Sequence, residues 1–183
     1  MKDTALVIID IQNDYFQGGK SELYEPIKAA QNAKALLEKF RQLNAPIFHV
    51  QHIFEGENAP FFAPNTNGVQ IHELLTPKDG EFVVVKHFPD AFLNTKLGHE
   101  LERLKIKNLI ICGMMSHMCI DTSVRSAVAK GFSVSLAHDA CATKELEFNG
   151  TKIDANIAHI AFMAAMNGIF ADVKTTDEIL KKL

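Results

Sequence analysis

Three features that mark other protein classes are scarce or missing in this chain. Cysteine is sparse. Cys112, Cys119 and Cys141 are an odd number with no Cys-x-x-Cys spacing, so neither a disulfide framework nor a four-thiolate zinc site fits, and at least one thiol is free. Basic runs are missing: no more than two cationic residues are adjacent, and 19 Lys+Arg against 22 Asp+Glu give a formal charge of −3. That leaves no electrostatic footprint for nucleic acid or an anionic membrane surface. Long apolar runs are absent too. The opening run Ala5-Leu6-Val7-Ile8-Ile9 stops at Asp10, too early for a secretory core segment. The longest uncharged stretch, Ala155 to Ala171, is broken by Asn156, His159, Asn167 and Gly168 and is shorter than the ~20 apolar residues of a membrane span. Together with the free thiols, these absences predict a cytoplasmic protein.

Repeats, low-complexity segments and interdomain linkers are also lacking, so residues 1–183 read as one domain. With 183 residues, 47% hydrophobic and 22% charged, the chain can bury roughly 70% of its unfolded surface without staples. Short β-branched runs alternate with stretches of helical period, the pattern of βαβ units around a parallel sheet covered on both faces. The strand candidates are Ala5–Ile9, Pro46–Gln51, Phe82–Val85, Asn108–Cys112, Phe132–Leu136 and Ile169–Val173. Between the first two, Ile27, Ala30, Ala33, Leu37 and Phe40 mark a helix that starts behind Pro26 and ends at Asn44. Leu97, Leu101 and Leu104 mark another, and Ile120, Val124, Ala127 and Val128 a third, closed by Lys130-Gly131. Thr151-x-x-Asp154 and Thr175-x-x-Glu178 have the form of caps for two final helices. The Glu55–Gly68 connection is long for a compact domain, and its Phe61-Phe62 pair serves either a lid or an anchor to the loop's own core.

Ligands of open parallel sheets bind beyond the carboxyl ends of the strands. Asp10 ends the first strand, Lys86 ends the third, and Cys119 follows the fourth where a helix should begin. A carboxylate, an ammonium and a thiol at one edge form a nucleophile with its activating groups. Lowering a thiol pKa from ~8.5 to about 6.5 takes roughly 2.7 kcal/mol. A helix terminus supplies about 0.3–1, at best ~2 kcal/mol, so Lys86 is expected to supply the rest. Cys112 and Cys141 read as inert scaffold.

Here the residues carry a resemblance. Ile8-Ile9-Asp10-Ile11-Gln12-Asn13-Asp14-Tyr15-Phe16 resembles the opening motif of the isochorismatase-like cysteine hydrolases. Lys86 with Asp90-Ala91-Phe92 and Thr95-x-Leu97 resembles their lysine segment, and Cys112 through Thr122 resembles their nucleophile segment; the match continues through Asp139-Ala140-Cys141 and His159. The resemblance implies a three-layer α/β/α fold with a six-stranded parallel sheet in the order 3-2-1-4-5-6. It also implies an Asp10–Lys86–Cys119 triad, a cis Met114–Met115 peptide placing the Met115 and Cys119 N–H groups as an oxyanion hole, and a homodimer or higher oligomer. The activity implied is hydrolysis of a small amide, ureido or related carbonyl substrate through a Cys119 thioester, without a cofactor. Vinyl ether hydrolysis of the isochorismatase type and a noncatalytic ligand-binding or redox-sensing domain are the competing readings.

Phe16, His87, Phe92 and His117 flank the triad in sequence and are candidate substrate-binding residues. Asp14 reads as a residue orienting the first loop, His138-Asp139 as a cap or dimer contact, and His159 as a core histidine on the apolar helix of Ile153, Ile157 and Ile160. Nicotinamidases, which are similar to this chain, carry an Asp-x-His metal pair after the second strand. Here Phe48-His49-Val50-Gln51-His52 has no aspartate, and His49 and His52 should face opposite ways on a strand. Cys112, His117 and Cys119 form only a weak zinc spacing, and no metal is expected.

Overall fold

A computed structural model describes residues 3–56 and 58–183; positions 1 and 2, and position 57 of the Glu55–Gly68 loop, lie outside it. In β1, Thr4–Ile9, side chains alternate between two cores. Ala5, Val7 and Ile9 face one, Leu6 and Ile8 the other, as a strand covered on both faces requires. Around it lie β2 (Ile47–His52), β3 (Phe82–Lys86), β4 (Asn108–Met114), β5 (Ser133–Ala142) and a short strand Asp172–Lys174. A hairpin of β6 (Leu146–Phe148) and β7 (Thr151–Ile153) precedes that last strand, which is therefore β8. The six sheet strands pair in parallel in the order β3-β2-β1-β4-β5-β8. This is the predicted order with the hairpin inserted before the final strand.

The helices are α1 (Pro26–Gln42), α2 (Leu97–Arg103), α3 (Asp121–Ala129), α4 (Ala155–Met166) and α5 (Thr176–Leu180). Proline opens α1, and Ala29, Ala30, Ala33, Leu36, Leu37 and Phe40 seal it onto the core beneath Leu6 and Ile8. On the other face, α2, α3 and α4 contribute Leu97, Leu101, Val124, Ala127 and Met163 to the core of Val7 and Ile9. Among the described residues no helix is long and apolar enough to cross a membrane.

Three expectations are corrected. Thr151 does not cap α4: it pairs with Phe148 in the hairpin, which turns at Asn149-Gly150 with both residues at positive φ, the geometry Asn-Gly favours. The Asp154 side chain caps α4 instead, whereas Thr175 and Glu178 do form a capping box on α5. The sixth sheet strand begins at Asp172, because Ile169 is 80% exposed in the preceding turn. The face of α4 carrying Ile157 and Ile160 is 62% and 64% exposed, so it is not a core face in the single chain.

Candidate active site

Two close approaches build the site edge. Gly113 on β4 has φ of +134°, and a Cβ there would lie 2.0 Å from the Ile9 carbonyl oxygen, so only glycine lets β4 pass beside the end of β1. Asp10 then leaves β1 at φ 53°, a left-handed conformation uncommon outside glycine. Along β5 the register jumps, with Ile111 opposite Leu136 and Gly113 opposite Cys141. This irregularity brings Ala142 beside Met114, whose peptide to Met115 is cis. From Ser116 to Ile120 the chain forms a π-helical turn that leads into α3. The helical turn thus starts earlier than the sequence pattern suggests, and Cys119 sits within it rather than at its first residue.

Lys86 comes from β3, two strands from β1, and the register explains how it reaches the centre. It lies opposite His52 on the intervening β2, so its stem passes the imidazole and delivers Nζ over the end of β1. Nζ is 2.7 Å from Asp10 Oδ2, 2.7 Å from His52 Nδ1 and 3.2 Å from Cys119 Sγ, and it donates to the Phe88 carbonyl at 3.1 Å. Asp10 and Lys86 are both fully buried. Their charges sustain each other. Burial opposes ionisation of Asp10, yet the Lys86 ammonium helps bring its carboxyl below the ordinary value. Burial likewise opposes protonation of Lys86, and Asp10 and Cys119 outweigh it, holding the ammonium above its ordinary range.

The thiol behaves differently from expectation. Burial and then the Asp10 carboxylate push the Cys119 pKa up, and Lys86 only partly offsets them. The resting arrangement is a carboxylate, an ammonium and a protonated thiol. Cys112 and Cys141 are also buried and free, with burial raising Cys141 to about 12 and Cys112 well above the ordinary thiol value.

In the sequence His52 enters only as a possible metal partner of His49 on the same strand. The two do diverge: His49 contacts Glu81 at 2.8 Å within an Arg41–Glu81 ion pair, while His52 turns to the site. Asp10, His52 and Cys119 are the one group among the described residues with metal-binding geometry, their ligand atoms within 4.8 Å of one another. The Lys86 ammonium already contacts all three, so the cage has its cation. Cys112 and His117 are not part of it. The signal for His52 was available: in a parallel sheet the end of β2 lies between the ends of β1 and β3.

Cys119 and Met115 line a pocket of about 60 Å³ with Tyr15, His52, Phe54, Phe61, Pro89 and Met118. Burial keeps the Tyr15 phenol protonated. The long loop forms the roof in both of the senses considered for it. Phe62 is fully buried, and its N–H donates to Asp14 Oδ2 at 2.6 Å, while Phe61 covers the pocket. Asp14 also receives the Lys20 N–H. The Asp14 N–H donates to the Gly68 carbonyl at 2.9 Å, and a Cβ on Gly68 would meet the Asp14 carboxylate at 2.1 Å, so Asp14 holds the roof at Phe62 and at Gly68.

The four flanking residues singled out from the sequence lie outside this lining. Phe16 stacks on His72 at 3.8 Å, and Phe92 is packed in the core against Phe132. His87 is half exposed and contacts the Ile53 carbonyl at 2.7 Å, and His117 is engaged with Thr143. Each had been chosen by adjacency along the chain, whereas the pocket is closed by elements distant in sequence. His159 contacts Ser116 Oγ at 2.8 Å, and Asp139 receives the N–H and hydroxyl of Thr176 near the start of α5.

The isochorismatase domain model matches residues 4–178. The chain belongs to the isochorismatase family of hydrolases. It is 55% identical over 178 residues to the uncharacterized isochorismatase family protein YddQ of Bacillus subtilis, covering 97% of this chain and 99% of that one. It is 39% identical over 145 residues to the secreted isochorismatase effector Isc1 of Verticillium dahliae, covering 79% and 75%. A crystal structure from Oleispira antarctica, assigned to the isochorismatase hydrolases, superposes with a TM-score of 0.95 at 44% identity, covering 98% and 97%.

Proposed function

We propose that this family member hydrolyses C–N bonds of small non-peptide amides, ureido compounds or related carbonyl substrates through a thioester on Cys119. The observation that carries the reading is the convergence of Asp10, Lys86 and Cys119 on one small, mostly apolar pocket. With Cys119 protonated at rest, the thiol proton passes to Asp10 as sulfur attacks the carbonyl carbon, and Lys86 offsets the negative charge as it moves from carboxylate to sulfur. The Met115 and Cys119 N–H groups receive the developing oxyanion; in other acyl-transfer enzymes one such donor is worth ~3–4 kcal/mol. As the C–N bond breaks, Asp10 returns the proton to the leaving nitrogen. Water then gives a proton to Asp10 and its oxygen to the thioester carbonyl, and collapse releases the acid and restores the thiol.

Ammonia release from primary amides, carbamoyl amines and ureido acids tests this directly. Cys119→Ala should lose at least about 10³-fold in kcat/KM with an unchanged circular dichroism spectrum. Vinyl ether hydrolysis needs a proton donor and no thiol, so turnover of a vinyl ether that survives Cys119→Ala would favour that reading. Reversible oxidation of Cys119 without turnover of any amide would favour redox sensing.

We also infer that the chain works as a homodimer or higher oligomer in the cytoplasm. The exposed Ile157 and Ile160 of the uncharged α4 support the first, and three free thiols support the second. Sedimentation of the wild type against Ile157→Lys/Ile160→Lys should show dissociation of the variant.

A further inference from the structure

We propose that His52 is a specificity-determining residue whose Nε2–H binds an acceptor oxygen of the substrate two or three bonds from the carbonyl carbon that Cys119 attacks. This deepens, and rests on, the hydrolase reading above. An ammonium has donors and no lone pair. With Lys86 Nζ 2.7 Å from His52 Nδ1 and 2.7 Å from a buried carboxylate, Nδ1 must present its own lone pair. A proton on Nδ1 would set two donors against each other. The imidazole is therefore neutral, and its proton is on Nε2.

That N–H has no partner among the described residues, although the atom is buried. The great majority of buried donors are satisfied, and an orphan in a site calls for an explanation. His52 is otherwise firmly held. Its backbone N–H donates to Gln12 Oε1 and its carbonyl accepts from Gln12 Nε2, both at 2.8 Å, and its ring stacks on Phe54 at 4.5 Å. The ring lines the same pocket as Cys119. Since Nδ1 is 4.0 Å from Sγ, Nε2 lies no more than one imidazole width farther. A carbonyl carbon in attack position stands ~3–3.5 Å from sulfur, which puts an oxygen on the neighbouring carbon, or one bond beyond, in reach of Nε2. Aromatic walls and the small volume restrict the rest of the molecule to a few flat atoms. The chemical class is a small amide with a second acceptor beside the scissile carbonyl, such as a 2-oxo amide, an oxamate or an acylurea.

Pyruvamide and propionamide differ at the carbon beside the scissile carbonyl, C=O against CH2, and serve as probes. In wild-type protein a long-range ¹H–¹⁵N correlation spectrum should show His52 neutral with its proton on Nε2, and pyruvamide should shift that resonance. The Nδ1-protonated or doubly protonated ring overturns the proposal. His52→Asn keeps an acceptor near the Nδ1 position and removes the distal donor. It should lower the ratio of kcat/KM for pyruvamide over propionamide by at least about threefold, the loss of one hydrogen bond. His52→Gln, which restores a distal N–H, should keep that ratio while kcat falls because Lys86 has lost a partner. Equal losses on both amides in His52→Asn would make His52 merely structural and overturn the proposal. If the wild type releases ammonia from neither probe, binding decides. A pyruvamide dissociation constant at least threefold below that of propionamide, with the Nε2 shift, supports the donor role even though amide hydrolysis has failed. Equal binding, or no shift, overturns it.

Discussion

Replacing Lys86 by methionine, which is similar in length and uncharged, should invert the way stability depends on pH. In the wild type the Asp10 carboxyl is held below its ordinary value of 3.8. A depressed carboxyl contributes stability that is present above the unfolded pKa and lost as pH falls through the folded pKa, so the contribution is intact at pH 7.5. Without the ammonium, burial is the leading influence on Asp10 and raises its pKa. The sign then changes: stability is greatest below the unfolded value and falls as pH rises. The folded variant can escape a buried charge by protonating Asp10. That costs about 1.36 kcal/mol per pH unit above the unfolded value, or about 5 kcal/mol at pH 7.5 and about 1 kcal/mol at pH 4.5. The ceiling at pH 7.5 agrees with the 3–5 kcal/mol typical of breaking a buried pair. The variant should therefore be up to about 4 kcal/mol more destabilised at pH 7.5 than at pH 4.5, an extra fall in Tm of roughly 8–16 °C for a chain of this length. Lys86 itself titrates far above this window and adds no slope within it. Thermal unfolding of both proteins at the two pH values measures the effect. Equal destabilisation at both would refute a charged Asp10 held by Lys86.

The raised Cys119 pKa predicts slow alkylation by iodoacetamide at pH 7, with a rate still climbing above pH 9; a plateau reached below pH 7 would show a preformed thiolate. Asp14→Ala removes the acceptor of the Phe62 and Lys20 N–H groups. It should cost about 1.5–3 kcal/mol in urea unfolding and speed proteolytic cleavage within residues 55–68, whereas uncleaved loops would show that the roof is held by its phenylalanines alone.

Periodicity carried the sheet and its helices because both faces of β1 are buried, which forces the apolar run Ala5–Ile9 and the amphipathic pattern after Pro26. The motifs at Asp10, Lys86 and Cys119 marked the positions that meet at the sheet edge. What stayed hidden depends on contacts between distant segments. The end of β2 places His52 between β1 and β3, but its contact with Lys86 follows only from the register, and which role each of Phe61 and Phe62 takes follows only from how Asp14 holds the loop. The state of Cys119 was misread because helix position and a nearby cation were weighed without burial and the adjacent carboxylate, which dominate. The hairpin at Asn149-Gly150 had a local signal, obscured by taking Thr151 as a cap.

Turnover through Cys119 requires a covalent acyl-enzyme on its sulfur. Intact-protein and peptide mass spectrometry of the wild type, quenched in acid within the first turnovers of a hydrolysed amide, should find a mass increment equal to the acyl group, confined to the peptide bearing Cys119 and absent from Cys119→Ala. Hydrolysis at full rate with no adduct on Cys119, or with the same rate in Cys119→Ala, would contradict the account.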